Sequence, residues 1–218
     1  VPDYVHFHKI RFQMIYCYKG WVRVVYDEQG APFVMYPGDC VLQPPQIRHR
    51  VLECSAGLEV IEVGCPAEHE TCADPELDLP NAKVQSNRDF SGQNFVLHQV
   101  ANAKWNPWLM EGFEFRDTEI GTATKGLAGV RVVRPLYDSR PLVYSHSGEF
   151  YFFFILEGGV TLTCEKFRSQ RMEAGDSCVI PAQQRYALTD CSDDLQLLEV
   201  IFPSELETQL HSVSVEDL

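Results

Sequence analysis

The chain has 218 residues, 45% hydrophobic and 22% charged, with a formal net charge of -13 from 31 acidic and 18 basic side chains. The length fits one large all-β domain or two of about 100 residues, and the composition excludes disorder for most of the chain. An acidic surface repels phosphate backbones and anionic lipid, which excludes nucleic acid and membrane as main partners. No run of about 20 apolar residues spans a bilayer and no basic-then-apolar leader opens the sequence, so the expected setting is cytoplasmic. Eight cysteines, at 17, 40, 54, 65, 72, 164, 178 and 191, form no CxxC pair. They read as small buried hydrophobes of a reducing compartment.

In chain order, His6-Phe7-His8 is followed by Phe12 to Gly20, FQMIYCYKG, a strand running into a glycine turn. Val22 to Tyr26, the polar tetrad Asp27-Glu28-Gln29-Gly30 and Pro32 to Met35 read as a hairpin. A Pro-Gly-Asp turn at 37–39 leads to Cys40 to Pro44, then His49, then the strand-like LEVIEVGCP over 58–66. From 67 to 94 the sequence turns acidic and polar, the composition of a crossing segment on the surface of two flanking units. The expected division is 1–73 for a first unit, 74–94 for a linker, and 95–218 for a second unit with its tail. Trp105, Trp108, Met110 and Phe113 make an aromatic-rich stretch read mainly as packing. Ser204 to Gln209, with Glu207 three residues after Ser204, reads as one or two capped helical turns.

The second half repeats the first. FYFFFILEG, from Phe150 to Gly158, matches Phe12 to Gly20; Glu173 to Pro181 matches Tyr36 to Pro44; LQLLEVIFP, from Leu195 to Pro203, matches Leu58 to Pro66, all at an offset of 137 to 138. Two copies of one unit is the economical reading. Each consists of short strands, without a helical stretch for a βαβ crossover, which gives antiparallel all-β units of sandwich or barrel type. About 50 residues of strand and loop precede the Phe150 strand in the second copy, but only eleven precede Phe12. The first unit is therefore expected to lack upstream strands, or to take them from elsewhere, such as a neighbouring subunit in a homodimer.

Alternate residues of a strand face one side, so His6 and His8 can present both imidazoles to one point, and His49 on a later strand completes the set. Any one of these histidines alone reads as an ordinary side chain. Together they offer three neutral imidazoles and the open coordination that a reactive metal needs.

These residues resemble the cupin superfamily. Its first motif is Gly, five residues, His-x-His, three or four residues, Glu, six residues, Gly; its second is Gly, five residues, Pro-x-Gly, two residues, His. His6, His8 and Gly20 match the first, with Gln13 at the glutamate; Gly38, Pro44 and His49 match the second, with Gln46 at its glycine. The resemblance implies two tandem cupin-type antiparallel β-barrels, jelly-roll-like, and one divalent metal ion per chain on His6, His8 and His49. Fe(II) is the first expectation, with Mn, Ni or Zn as alternatives.

Gln13 reads as a weak fourth ligand, as a hydrogen-bonding partner of bound water or substrate, or as core filler. Without a glutamate the centre carries one more positive charge, which favours an anionic, chelating small-molecule substrate. In this it is similar to three-histidine cupin dioxygenases acting on thiols, diketones or hydroxylated aromatics. The alternatives are a non-redox isomerase, lyase or decarboxylase, and a non-catalytic binding protein. In the second copy Tyr144, His146, Tyr151 and Tyr186 register on His6, His8, Gln13 and His49, which reads as a degenerate, metal-free unit. A small apolar pocket lined by Phe150, Phe152 and Phe154, or by their alternates, is its other reading.

Glu62 is the candidate acid/base residue, although Glu199 holds the same place in the second copy. Arg11 and Arg48 are candidate partners of an anionic substrate, with Arg48 expected to face away from His49. His69, His98 and His211 read as ordinary surface histidines.

Overall fold

The computed structural model describes residues 4–137, 140–165 and 167–218. It is all-β and divides into two compact units, one of the residues up to Asn102 with Ala123–Lys125, the other of Ala103–Thr122 with the residues from Gly126 on. The first holds β1 (His6–Lys9), β2 (Phe12–Lys19), β3 (Val22–Tyr26), β4 (Phe33–Met35), β5 (Cys40–Leu42), β6 (His49–Cys54), β7 (Glu59–Cys65), β8 (Glu70–Ala73) and β9 (Val96–His98). The second holds β10 (Trp105–Pro107), β11 (Phe113–Asp117), β12 (Gly129–Pro135), β13 (Val143–His146), β14 (Phe150–Glu157), β15 (Gly159–Cys164), β16 (Phe167–Glu173), β17 (Ser177–Val179), β18 (Tyr186–Thr189), β19 (Gln196–Phe202) and β20 (Thr208–His211).

Each unit is two antiparallel sheets. The order is β4-β3-β6-β1-β8 facing β7-β2-β5-β9 in the first, and β16-β15-β18-β13-β20 facing β10-β11-β12-β19-β14-β17 in the second. Inward residues of both sheets meet in the core: Val22, Val24 and Tyr26 with Cys17 and Val41 in the first unit, Val160, Leu162 and Tyr186 with Tyr151, Phe153 and Leu197 in the second. The repeat extends to the pairing register, with Tyr16 opposite Ile61 where Phe154 is opposite Leu198, and Met14 opposite Leu42 where Phe152 is opposite Val179.

The turn chemistry repeats as well. Gly20 and Gly158 both take positive φ, 74° and 67°, where the chain doubles back after β2 and β14. Asp39 accepts the Tyr36 N–H at 2.9 Å as Asp176 accepts that of Glu173 at 2.8 Å. Asp39 also accepts the Val100 N–H at 2.9 Å, and it is only 3% exposed. Asp39→Ala leaves two backbone donors without their acceptor, so it should cost about 2–4 kcal/mol, on the order of 1–2 per donor. Urea unfolding of the variant checks this.

The division of the chain falls after Asn102, beyond the 74–94 stretch expected to be a linker. The reason is that Val96–His98 pairs antiparallel with β5, and Phe90 is buried in the first unit's core. The acidic stretch is tied to the same unit, with Arg88 at 2.9 Å from Asp27 and 3.1 Å from Glu28, and Asn81 also bonded to Asp27. The tail differs too. Thr208–His211 is a strand pairing with β13, not a capped helical turn, because the outer edge of β13 offers backbone partners that a lone helical turn lacks.

One difference between the copies bears on the site. In the second unit β12 pairs with the outer edge of β19, whereas among the described residues β7 has no strand on that edge. Glu199 on β19 is consequently 1% exposed, with the Arg131 guanidinium of β12 at 2.9 Å, while its counterpart Glu62 is exposed. Trp108 and Met110 lie buried in the second unit's core, as packing residues. Phe150, Phe152 and Phe154 line neither of two second-unit cavities, and their alternates Tyr151, Phe153 and Ile155 fill the core instead. The smaller cavity, about 460 Å³, is lined by Leu162, Cys164, Phe167, Met172, Cys178 and Ile180 among others.

Candidate metal centre

His6 and His8 share a face of β1, and β6 pairs with β1 so that His6 lies directly opposite His49. Gln46, between β5 and β6, takes φ 61°, and its N–H donates to the His8 carbonyl at 3.0 Å. The left-handed conformation explains why a glycine suits this motif position. Gln183 repeats it in the second copy, with φ 64° and its N–H on the His146 carbonyl at 2.8 Å. This turn holds β1 against the start of β6.

The three imidazoles converge. Ring centres of His6 and His49 are 4.3 Å apart, those of His6 and His8 5.2 Å, and those of His8 and His49 5.3 Å. One ligand atom from each lies within 4.8 Å of the others. His6 and His49 are 5% and 6% exposed, while His8 is half-buried, so the cluster opens on the His8 side. Each ring is oriented through Nδ1: His6 on the Tyr4 carbonyl at 3.1 Å, His49 on the Ile47 carbonyl at 3.1 Å, and His8 on the Thr71 hydroxyl at 2.9 Å. A carbonyl only accepts, so Nδ1 carries the proton in His6 and His49; the Nε2 lone pair of His6 is left for a ligand, while that of His49 accepts from the Gln43 amide at 3.2 Å, a hydrogen bond that a bound ion would replace.

Burial, followed by the charge of His6, holds the His49 imidazole down at about 3, against the pull of the Ile47 carbonyl. His8 is lowered by burial, His6 and His69, with Glu62 opposing. At neutral pH His49 therefore has no proton to lose on meeting a metal. Three imidazoles with oriented outer nitrogens fit a divalent transition metal.

Gln13 is 2% exposed and bonded at both ends of its amide. Its Nε2 donates to Glu62 at 2.6 Å, and its Oε1 accepts from Gln43 Nε2 at 2.8 Å. Gln43 Nε2 also lies 3.2 Å from His49 Nε2, and its Oε1 accepts from the Tyr26 hydroxyl at 2.9 Å. Tyr26, Gln43, Gln13 and Glu62 thus form one hydrogen-bonded row beside the imidazoles, ending at an exposed carboxylate. Arg48 faces away from His49, lying over the Phe7 ring at 4.1 Å and pairing with Asp74 at 3.1 Å. Arg11 is exposed in the turn between β1 and β2.

The second copy keeps the register without the donors. Tyr144 lies opposite Tyr186 as His6 lies opposite His49. His146 has both ring nitrogens engaged, Nε2 with the Ile180 carbonyl at 2.9 Å and Nδ1 with the Gly148 N–H at 3.2 Å. Its proton is thereby fixed on Nε2, opposite to His6 and His49.

Two residues at the centre escaped the sequence reading. Gln43 had a signal in the Gly-Asp turn motif, being next to Pro44. His69 had none, because its ring reaches His8, at 5.3 Å between centres, only through the pairing of β8 with β1. Of the other two, His98 is buried and His211 bonds the Ser145 hydroxyl at 2.8 Å.

The sequence matches no protein-family model and is similar to no curated protein. Solved structures do match. Salicylate 1,2-dioxygenase from Pseudaminobacter salicylatoxidans aligns at a TM-score of 0.69 and 15% identity, over 95% of this chain and 70% of that one. A deletion mutant of Bacillus subtilis oxalate decarboxylase aligns at 0.67 and 15%, over 95% and 67%. Another structure of that decarboxylase, studied for its Mn(II) centres, aligns at 0.63 and 13%, over 95% and 67%. Such identities speak for the fold alone: the chain has the two-unit cupin fold of these enzymes, and its first unit carries a three-histidine cluster for a divalent metal.

Proposed function

We propose that the first unit is a metal-dependent dioxygenase acting on a small chelating substrate, anionic or hydroxylated, with Fe(II) on His6, His8 and His49. The observation that carries this reading is the donor set, three imidazoles with a neutral amide where a carboxylate would complete the centre. Bound there, the ion would supply Lewis acidity and bring a chelated substrate together with dioxygen.

The chain's own residues do the rest. His6 and His49 are held in the ligating tautomer by the carbonyls of Tyr4 and Ile47. Gln13 acts as a positioning residue, fixed between Gln43 and Glu62, and keeps negative charge off the inner side of the site. Glu62, at the outer end of the row, accepts the proton that a chelating hydroxyl or thiol gives up. Arg11 attracts an anionic substrate to the exposed side.

A second reading, a non-redox decarboxylase, lyase or isomerase using Mn, Ni or Zn, is favoured by the fold likeness to oxalate decarboxylase and by the carboxylate of Glu62 beside the site. A third is a binding protein without turnover. Oxygen uptake by Fe(II)-loaded protein with catechols, hydroxybenzoates, β-diketones and thiols separates the first from the other two, and turnover of the bound molecule without oxygen separates the second from the third. Consumption with at least one class is expected, and none with any class would sink the dioxygenase reading.

A homodimer belongs to the same proposal, since an edge such as that of β7 is what partner strands cover. So does a reducing, cytoplasmic setting, the compartment in which eight free thiols persist. Among the described residues no helix is long and apolar enough to cross a membrane.

A further inference from the structure

We propose that His69 is a fourth functional imidazole of the first unit, one that touches the ligand seated on the three-histidine metal instead of holding the metal. This rests on the metal reading of the cluster. The His69 ring lies edge-on to His8, 5.3 Å between centres at 78°, the same spacing that separates His8 from His6 and His49. It is not one of the three residues whose ligand atoms group within 4.8 Å, so it flanks the cluster. The side it flanks is the open one, where His8 is half-buried and Thr71 exposed.

The start of β8 puts it there. β8 pairs with β1 so that Thr71 is opposite His8 and Ala73 opposite His6, and His69 lies immediately before β8, where its ring meets that of His8. Nδ1 of His69 lies 3.2 Å from the Pro66 carbonyl, which fixes the proton on that nitrogen as in His6 and His49. Nε2 is left with a lone pair and no hydrogen-bond partner among the described residues.

The second copy supplies an internal contrast. β20 pairs with β13 so that Thr208 is opposite His146 and Leu210 opposite Tyr144, which puts Leu206 at the position of His69. An imidazole accompanies the copy with three ligating histidines, and a leucine packed against the core takes its place in the copy that has lost them. An Nε2 acceptor at the rim selects a chelating ligand that still carries an O–H or N–H next to its metal-binding oxygen. That feature fits a singly ionised catechol or a hydroxamate and leaves a fully deprotonated chelate unassisted.

The test is anaerobic binding of 4-nitrocatechol to Fe(II)-loaded protein, read by its visible absorption, in wild type, His69→Leu and His69→Gln, with iron content and melting temperature measured alongside. His69→Leu should keep one iron per chain and a near wild-type melt while its Kd rises about tenfold, the loss of one hydrogen bond. His69→Gln, whose amide oxygen can still accept, should fall between. A wild-type Kd in His69→Leu, loss of iron from it, or a loaded wild type that binds no nitrocatechol would overturn the proposal. A wild type that takes up no iron would overturn the metal reading itself.

Discussion

His49→Ala should abolish metal binding and leave the fold in place. His49 joins the two sides of the cluster, opposite His6 in register and 4.3 Å from its ring. Removing it leaves His6 and His8, two donors from one strand, and a divalent ion held by two imidazoles and water exchanges freely. Changes in groups behind a ligand already cost about 10–100-fold in affinity, so loss of the ligand itself should exceed that. The core is spared because Val24, Tyr26, Met35, Val41 and Ile47 continue to pack without the ring. A destabilisation of about 1–3 kcal/mol is expected from the cavity beside Tyr26. Metal analysis and thermal melts of the purified variant check both halves.

Tyr186→Ala should do the reverse. Tyr186 is 1% exposed, paired opposite Tyr144, with its hydroxyl 3.4 Å from that of Tyr151. Burial holds both phenols in their neutral form, so neither Tyr186 nor Tyr151 serves as an anionic ligand. Truncating a fully buried aromatic costs about 3–5 kcal/mol in lost burial and cavity formation. Metal content should stay at the wild-type level, because no ligating set surrounds Tyr186. Metal loss in this variant, or retention at full occupancy in His49→Ala, would contradict the assignment of the site to the first unit.

Much of this was legible in the chain. The repeat offset, the glycine turns and the alternation of strands are local signals, and they yielded two copies of one antiparallel unit. His6, His8 and His49 were legible because strand parity and turn spacing together fix where they point. What escaped depended on which strand lies beside which. The role of Val96–His98 is decided by the edge of β5, and the strand at Thr208–His211 by the edge of β13. Neither segment carries enough pattern of its own to announce its partner, and Ser204 with Glu207 even imitates a helix cap. His69 and Thr71 belong to the same class, since their relevance to His8 exists only once β8 is laid against β1. Gln13 was legible as a departure from a motif, but its engagement at both ends required Gln43 and Glu62 from two other strands.

The most direct test of the metal centre is a crystal of protein loaded with Fe(II) without oxygen, measured for anomalous scattering on both sides of the iron edge. The expected result is a single strong peak per chain within bonding distance of Nε2 of His6, His8 and His49, with no peak near Tyr144, His146 and Tyr186. A peak bound elsewhere, or none in a crystal whose protein retains the fold, would contradict a metal centre on these three histidines.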